Sequence, residues 1–217
     1  CVLVLWTVQV THMTIIGTSL PYYCKYIFHN DSWMYSVLYF AETIVIILGA
    51  MVCPVFIKKW GKRNITLAGA VVAIAAQVCL MLNPNNFYYM FAITLIRSAG
   101  VAQLNATVFG MLGDVVEYSY WKNGFRQESM IFGGASLGFK VGSGIASAVI
   151  TSLMTASGYI SSQGADVVQP GSAISMIADI YKWGPVIIWV VAAIMLVIYK
   201  LDREMPQIAE QLANREK

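Results

Sequence analysis

The sequence predicts an all-α membrane protein of six transmembrane helices, and three observations predict it. Of the 217 residues, 58% are hydrophobic and only 12% are charged, about half the ~25% charge of a soluble domain. The apolar residues gather in six runs, each near the ~20 residues a helix needs to cross hydrocarbon. The connectors between the runs hold turn formers and charges. Residues 1–201 then form a transmembrane bundle, and residues 202–217 an amphipathic tail.

The runs cover about 1–24, 34–56, 65–82, 87–111, 129–155 and 182–200. Between them lie HNDS at 29–32, KKWGKR at 58–63, NPNN at 83–86, a polar run from Gly113 to Glu128, and a Ser/Gly/Gln-rich loop near 157–173. The tail is charged, with Met205, Ile208 and Leu212 at helical spacing, as in a helix lying on a surface. The chain opens on CVLVLW without an initiator Met, which suggests a fragment lacking its N-terminal part.

Lysine and arginine set the orientation. Lys58, Lys59, Lys62, Arg63, Lys122, Arg126, Lys200, Arg203, Arg215 and Lys217 fall on one side, against Lys25 and Lys182 on the other. The positive-inside rule makes the richer side, and with it the C-terminus, cytoplasmic. The expected location is the plasma (inner) membrane, crossed several times.

Several function classes are excluded. A net charge of +3 is too small to suggest a nucleic-acid partner. Cys1, Cys24, Cys53 and Cys79 form no CxxC pair and read as small buried hydrophobes, neither a disulfide framework nor a metal site. Phosphate-binding, zinc-protease, nucleophile-elbow and dinucleotide motifs are missing, so an enzyme is not expected. Asp114 and Glu117 sit three apart on the cytoplasmic side and read as ion-pair residues.

Charges inside a span cost roughly 2.5–3.5 kcal/mol each and need a reason. Glu42, Arg97 and Lys140 each lie ~12–16 Å from one membrane face at ~1.5 Å per residue, close to the midplane where secondary transporters bind their solutes. Glu42 and Arg97 suit a structural ion pair between neighbouring helices; both also stand as candidates for a solute or cation site. Lys140 has no evident partner, and could meet a carboxylate on a missing half, a solute or backbone carbonyls. It shares a helical stripe with Ser136, Ser143, Ser147 and Thr151. Roughly opposite runs a stripe of Gly134, Gly138, Gly142 and Ala146, small enough for close helix contact. In the first span Thr7, Thr11, Thr14 and Thr18 form a third stripe, with Gln9 and His12 nearby, and the fourth span adds Gln103, Asn105 and Thr107. Polar stripes on three spans suit a bundle around a wet path, although Ser and Thr also bond to their own helix backbone.

The stretch LGDVVEYSYWKNGFRQESMIFGGASLGFKVGSG at 112–144 resembles the glycoside–pentoside–hexuronide:cation symporters of the major facilitator superfamily. The matching residues are Asp114, Glu117, Tyr118, Trp121, Lys122, Arg126 and Lys140. PYYCKY at 21–26, IKKWGKRN and YKLDREMPQIAEQL extend the likeness to essentially the whole chain, as spans seven to twelve. The resemblance implies half of a twelve-helix major-facilitator fold, built from two inverted three-helix repeats, with an N-terminal six-helix half as partner. It implies symport of a sugar or glycoside with Na⁺ or H⁺ by alternating access, and no cofactor; the coupling-ion ligands would lie mostly in the N-terminal half. Lys140 would lie near the shared sugar and cation site, with Ser136, Ser143, Asn105, Gln103, Arg97, Glu42 and Thr11 as further candidates. Asp114, Glu117, Lys122 and Arg126 would form a cytoplasmic gate. Asn105 stands where melibiose carriers hold an aromatic sugar-stacking residue, which argues against a galactoside. Two alternatives remain open: the same fold carrying a lipid or amphiphilic anion, or a free-standing six-span channel or scaffold.

Overall fold

The computed structural model describes residues 1–30, 33–161 and 168–215. The parts of the expected loops at 31–32 and 162–167, and Lys217, lie outside the described residues. Among the described residues, seven helices follow in order: α1 (Val2–Tyr26), α2 (Met34–Trp60), α3 (Lys62–Leu80), α4 (Phe87–Asn123), α5 (Glu128–Ala156), α6 (Gly171–Ile198) and α7 (Leu201–Arg215). The first six are long and apolar enough to cross a membrane, so the chain is a multi-pass membrane protein.

Two boundaries differ from the sequence expectation. α4 continues through the polar run from Gly113 and stops at Asn123, where Gly124 takes a left-handed φ of 78° and returns its N–H to Tyr120 O. At 37 residues it is ~55 Å long and overshoots the hydrocarbon. Hydropathy marks only the lipid-buried part of such a helix. α6 begins at Gly171, eleven residues before the expected span, so Lys182 and Asp179 lie within it and not in a loop. Its first turns, GSAIS, are too polar and small to register as a span.

α4 packs between α2 and α3, and α1 packs between α5 and α6; α3 also meets α6, and α1 meets α4. Exchanging α1, α2 and α3 with α4, α5 and α6 maps these pairings onto themselves. Because each triple has an odd number of crossings, the second runs inverted relative to the first. α2 buries only Leu38, Glu42 and Cys53, whereas α4 is buried along most of its length.

Small residues permit the tightest contacts. A Cβ on Gly69 of α3 or Gly100 of α4 would strike the carbonyl of the other. On α5, Gly134, Gly138 and Gly142 lie against Leu3, Thr7 and Thr11 of α1. Pro185 in α6 cannot donate to the carbonyl of Tyr181; Gln77 of α3 does so instead, Nε2 to O at 2.8 Å. At one end of the bundle, Arg63 donates to the terminal carbonyls of α6, Leu196 O at 2.7 Å and Val197 O at 2.9 Å. Asp202 of α7 accepts from the Arg63 backbone N–H at 3.1 Å, capping α3. Cation on helix C-terminus and anion on helix N-terminus both complement the helix dipoles.

Candidate functional site

The intramembrane polar residues fall into two sets of opposite character. The first is enclosed. Arg97 of α4 is fully buried and Glu42 of α2 nearly so. Arg97 Nη2 donates to Glu42 Oε2 at 3.1 Å, and its Nη1 to Gln77 Oε1 at 3.0 Å and Tyr181 Oη at 3.3 Å. Four helices, α2, α3, α4 and α6, converge on one guanidinium. Planar, multiply bonded and shielded, it suits a bracing charge, and it presents no open donor face to a solute.

The second set is more open: Phe109 is exposed, Trp6 and Asn105 are half-buried, and Gln9 is buried. Where α1 meets α4, Gln9 Nε2 donates to Asn105 Oδ1, while Gln9 Oε1 is buried without a partner among the described residues. One turn further along α4, Phe109 meets Trp6 edge to face, centroids 4.7 Å apart. Phe109 is 59% exposed, and the Trp6 indole N–H is buried without a partner among the described residues. Trp6 also reaches α5 beside Gly138. An amide pair, an aromatic pair, one spare acceptor and one spare donor thus meet near α1, α4 and α5. Carbohydrates, with hydroxyls along the ring edge and C–H faces, present the matching groups.

Lys140 is a second open group, on a different face of α5 from the one beside Trp6. It is exposed on the face of α5 turned away from α1, with Ser136, Ser147 and Thr151. Among the described residues its ammonium has no hydrogen bond or ion pair; its carbonyl accepts from Ser143 Oγ at 3.2 Å. Ser143 is half-buried, its Oγ against Phe139 O at 2.9 Å.

The other candidates separate. Gln103 and Asn105 lie on different faces, because residues two apart on a helix diverge by ~200°. Gln103 lies beside α2 and α3 and donates to Ala99 O at 3.3 Å. Thr107 is buried and shares a 2.7 Å hydrogen bond with Thr66 of α3. The expected polar stripe of Gln103, Asn105 and Thr107 is therefore three separate contacts. Thr11 sits in the α1–α5 seam beside Gly142, and the hydroxyls of Thr7 and Thr14 bond to Leu3 O and Val10 O of their own helix. The threonine stripe packs against a neighbour more than it lines a wet wall. His12 is buried and accepts from Trp189 Nε1 at 3.2 Å.

At the lysine-rich end, Asp114 is held by Lys62 Nζ at 2.6 and 2.8 Å. Glu117, Lys122 and Arg126 are exposed nearby. Lys122 lies over the Tyr118 ring and Arg126 over the Tyr120 ring, and Arg126 is 3.8 Å from Glu128. Among the described residues, Asp114, Glu117, Lys122 and Arg126 form no ion pair with one another. Sequence reasoning missed Lys62 as the Asp114 partner, Gln77 and Tyr181 around Arg97, and Trp6 and Phe109. Only the spacing of Phe109, four residues beyond Asn105, could have pointed to it.

Six spans in two inverted triples, with charged and amide groups within the spans, fit a membrane domain of the secondary-transporter class. The chain belongs to the MFS/sugar transport protein family, which it matches over residues 1–203. It is 30% identical to the isoprimeverose transporter of Lactiplantibacillus pentosus over 196 residues, 89% of this chain and 40% of that protein. It is 23% identical to a putative sulfoquinovose importer of Salmonella typhimurium, over 90% of this chain and 41% of the relative. It is 24% identical to a glucuronide carrier protein homolog of Escherichia coli, over 93% and 44%. The chain spans about two fifths of the length of these relatives.

Proposed function

We propose that this chain is the C-terminal half of a cation-coupled carrier for a glycoside or sugar acid, working by alternating access. The open cluster of Gln9, Asn105, Trp6 and Phe109 carries the reading, since it offers both polar and aromatic groups with spare bonding capacity. Phe109 supplies the aromatic face that position 105 lacks. The Lys140 ammonium faces the surface on which an N-terminal six-helix half would dock, and it favours either a negatively charged sugar or a carboxylate of that half. Loss of its countercharge would be felt at the coupling-ion site, which ties sugar to cation occupancy. The names of the relatives, an isoprimeverose transporter and a sulfoquinovose importer, fit this substrate class.

The mechanism is rocking of the two halves about a midplane site. The Lys62–Asp114 pair and the exposed Glu117, Lys122 and Arg126 form one side of a cytoplasmic gate, in a plasma (inner) membrane with the C-terminus inside. The test is uptake of labelled neutral and acidic glycosides by the full-length carrier in vesicles. Asn105→Ala with Phe109→Ala should lower uptake at least ~10-fold, in keeping with one lost hydrogen bond and one lost ring contact at ~1 kcal/mol each. Unchanged uptake by the double variant would place the solute elsewhere.

A further inference from the structure

A second concavity lies away from the polar cluster, where α5 and α6 diverge over α1. It holds about 530 Å³, within the ~300–1,000 Å³ of small-molecule sites. Ile15, Ile145, Val149, Ile180 and Ile187 form its apolar walls. The lining runs from Val141 to Leu153 on α5 and from Met176 to Ile188 on α6. Twelve helical steps make ~18 Å, close to one leaflet of a ~30 Å hydrocarbon core.

The groove extends from mid-bundle to the end opposite the lysine-rich loop. Toward that end, one carboxylate, Asp179, interrupts the apolar wall, with Trp183 one turn further along α6. Asp179 is exposed, and among the described residues it has no ion pair. Counted back from Ile198, nineteen residues of helix place it ~29 Å from the far end, at the level of the headgroups. The exposed Trp183 ring suits the same interface. Any acyl chain would fill the groove, so the charge at its rim selects the occupant. A carboxylate repels an anionic headgroup and attracts an ammonium.

We infer that the α1–α5–α6 groove binds one acyl chain of a lipid with a primary ammonium headgroup, phosphatidylethanolamine, whose ammonium pairs with Asp179. This site is independent of the transport reading, because it needs only that the bundle spans a membrane. The test is native mass spectrometry of the complete carrier in mild detergent, titrated with dioleoyl-phosphatidylethanolamine or dioleoyl-phosphatidylglycerol. The first should be retained about fivefold better, the upper end for an exposed ion pair. Asp179→Asn should erase that preference, Lys182→Gln should keep it, and Val149→Trp should displace both lipids by filling the groove. Ile145→Trp repeats the last arm if Val149→Trp is poorly folded. Equal retention of the two lipids by the unmodified carrier overturns the inference. So does a preference that survives Asp179→Asn, or retention unchanged by both tryptophan variants.

Discussion

The enclosed network around Arg97 and the open groups, Lys140 and the cluster around Asn105, use similar side chains, and they are bonded in opposite ways. Arg97 directs both terminal nitrogens at Glu42, Gln77 and Tyr181, and its Nε is buried without a partner among the described residues. Lys140 is exposed on α5, and its ammonium has no partner among the described residues. In hydrocarbon both arrangements are expensive unless something compensates. For Arg97 the compensation is inside the chain, so its role is cohesion. For Lys140 it must come from outside the chain, from a partner half, a solute or water, as the proposed role in contact requires. A countercharge held within the chain, Glu42 for Arg97, is what the exposed Lys140 ammonium lacks among the described residues.

Breaking the enclosed set should have the largest effect. Arg97→Met leaves the Glu42 carboxylate buried without its partner, a change that typically costs ~3–5 kcal/mol. Thermal unfolding of the purified carrier should show a large drop in Tm, with low yield in the membrane. A variant of normal Tm that only loses uptake would move Arg97 into the open set. Lys140→Ala should reverse the pattern. Removing an exposed charge leaves little unpaired within the chain, so Tm should hold, while coupled accumulation falls at least ~100-fold if a desolvated ion pair of ~3 kcal/mol is lost. Normal accumulation with an intact ion gradient would remove Lys140 from the site.

This contrast also marks the limit of what was legible in the sequence. Six spans could be read from apolarity, and the Glu42–Arg97 pairing from two charges at matching depth on neighbouring helices. A close helix contact along α5 followed from Gly134, Gly138 and Gly142, but not that α1 makes it. The far end of α4 and the first turns of α6 were lost because helix beyond the hydrocarbon has no apolar signal. Gln103, Asn105 and Thr107 were grouped by proximity in sequence, although alternate residues on a helix face different neighbours. Lys62 and Asp114 are 52 residues apart and Gln77 and Tyr181 are 104 apart; no local pattern joins them, because the packing of α3 against α4 and α6 does.

Gln77 sharpens the comparison at intermediate scale. Its amide fills two roles, donating to the carbonyl that Pro185 leaves free and accepting from Arg97. Gln77→Leu keeps most of the volume and strands both groups, which should cost ~1–3 kcal/mol per unsatisfied buried group. Adding Pro185→Ala restores the α6 donor to Tyr181 O. The double variant should therefore regain part of the lost Tm, and a purely additive loss would show that Gln77 acts on Arg97 alone.

The smallest effect belongs to Arg126, which tests whether an exposed charge at the lysine-rich end can work without holding the fold. Its guanidinium is 3.8 Å from Glu128, and both side chains are well exposed. Pairs of this kind contribute only about 0.2–1 kcal/mol, in contrast to the 2.6 Å contact between Lys62 and the mostly buried Asp114. Arg126→Ala should leave Tm within the change expected of a surface site. If Arg126 meets the other half in one access state, that state is destabilised by a similarly small amount, and turnover shifts by about two- to fivefold at ~0.4–1 kcal/mol. Solute affinity should stay unchanged, because the residue lies at the lysine-rich end, beyond the end of α4 and far from Asn105 and Phe109. Measuring binding by equilibrium dialysis beside uptake rate separates the outcomes. A slower rate at constant affinity supports a gate, whereas collapsed affinity with normal turnover of bound solute assigns Arg126 to the solute path and dissolves the distinction between its exposed pair and the open cluster.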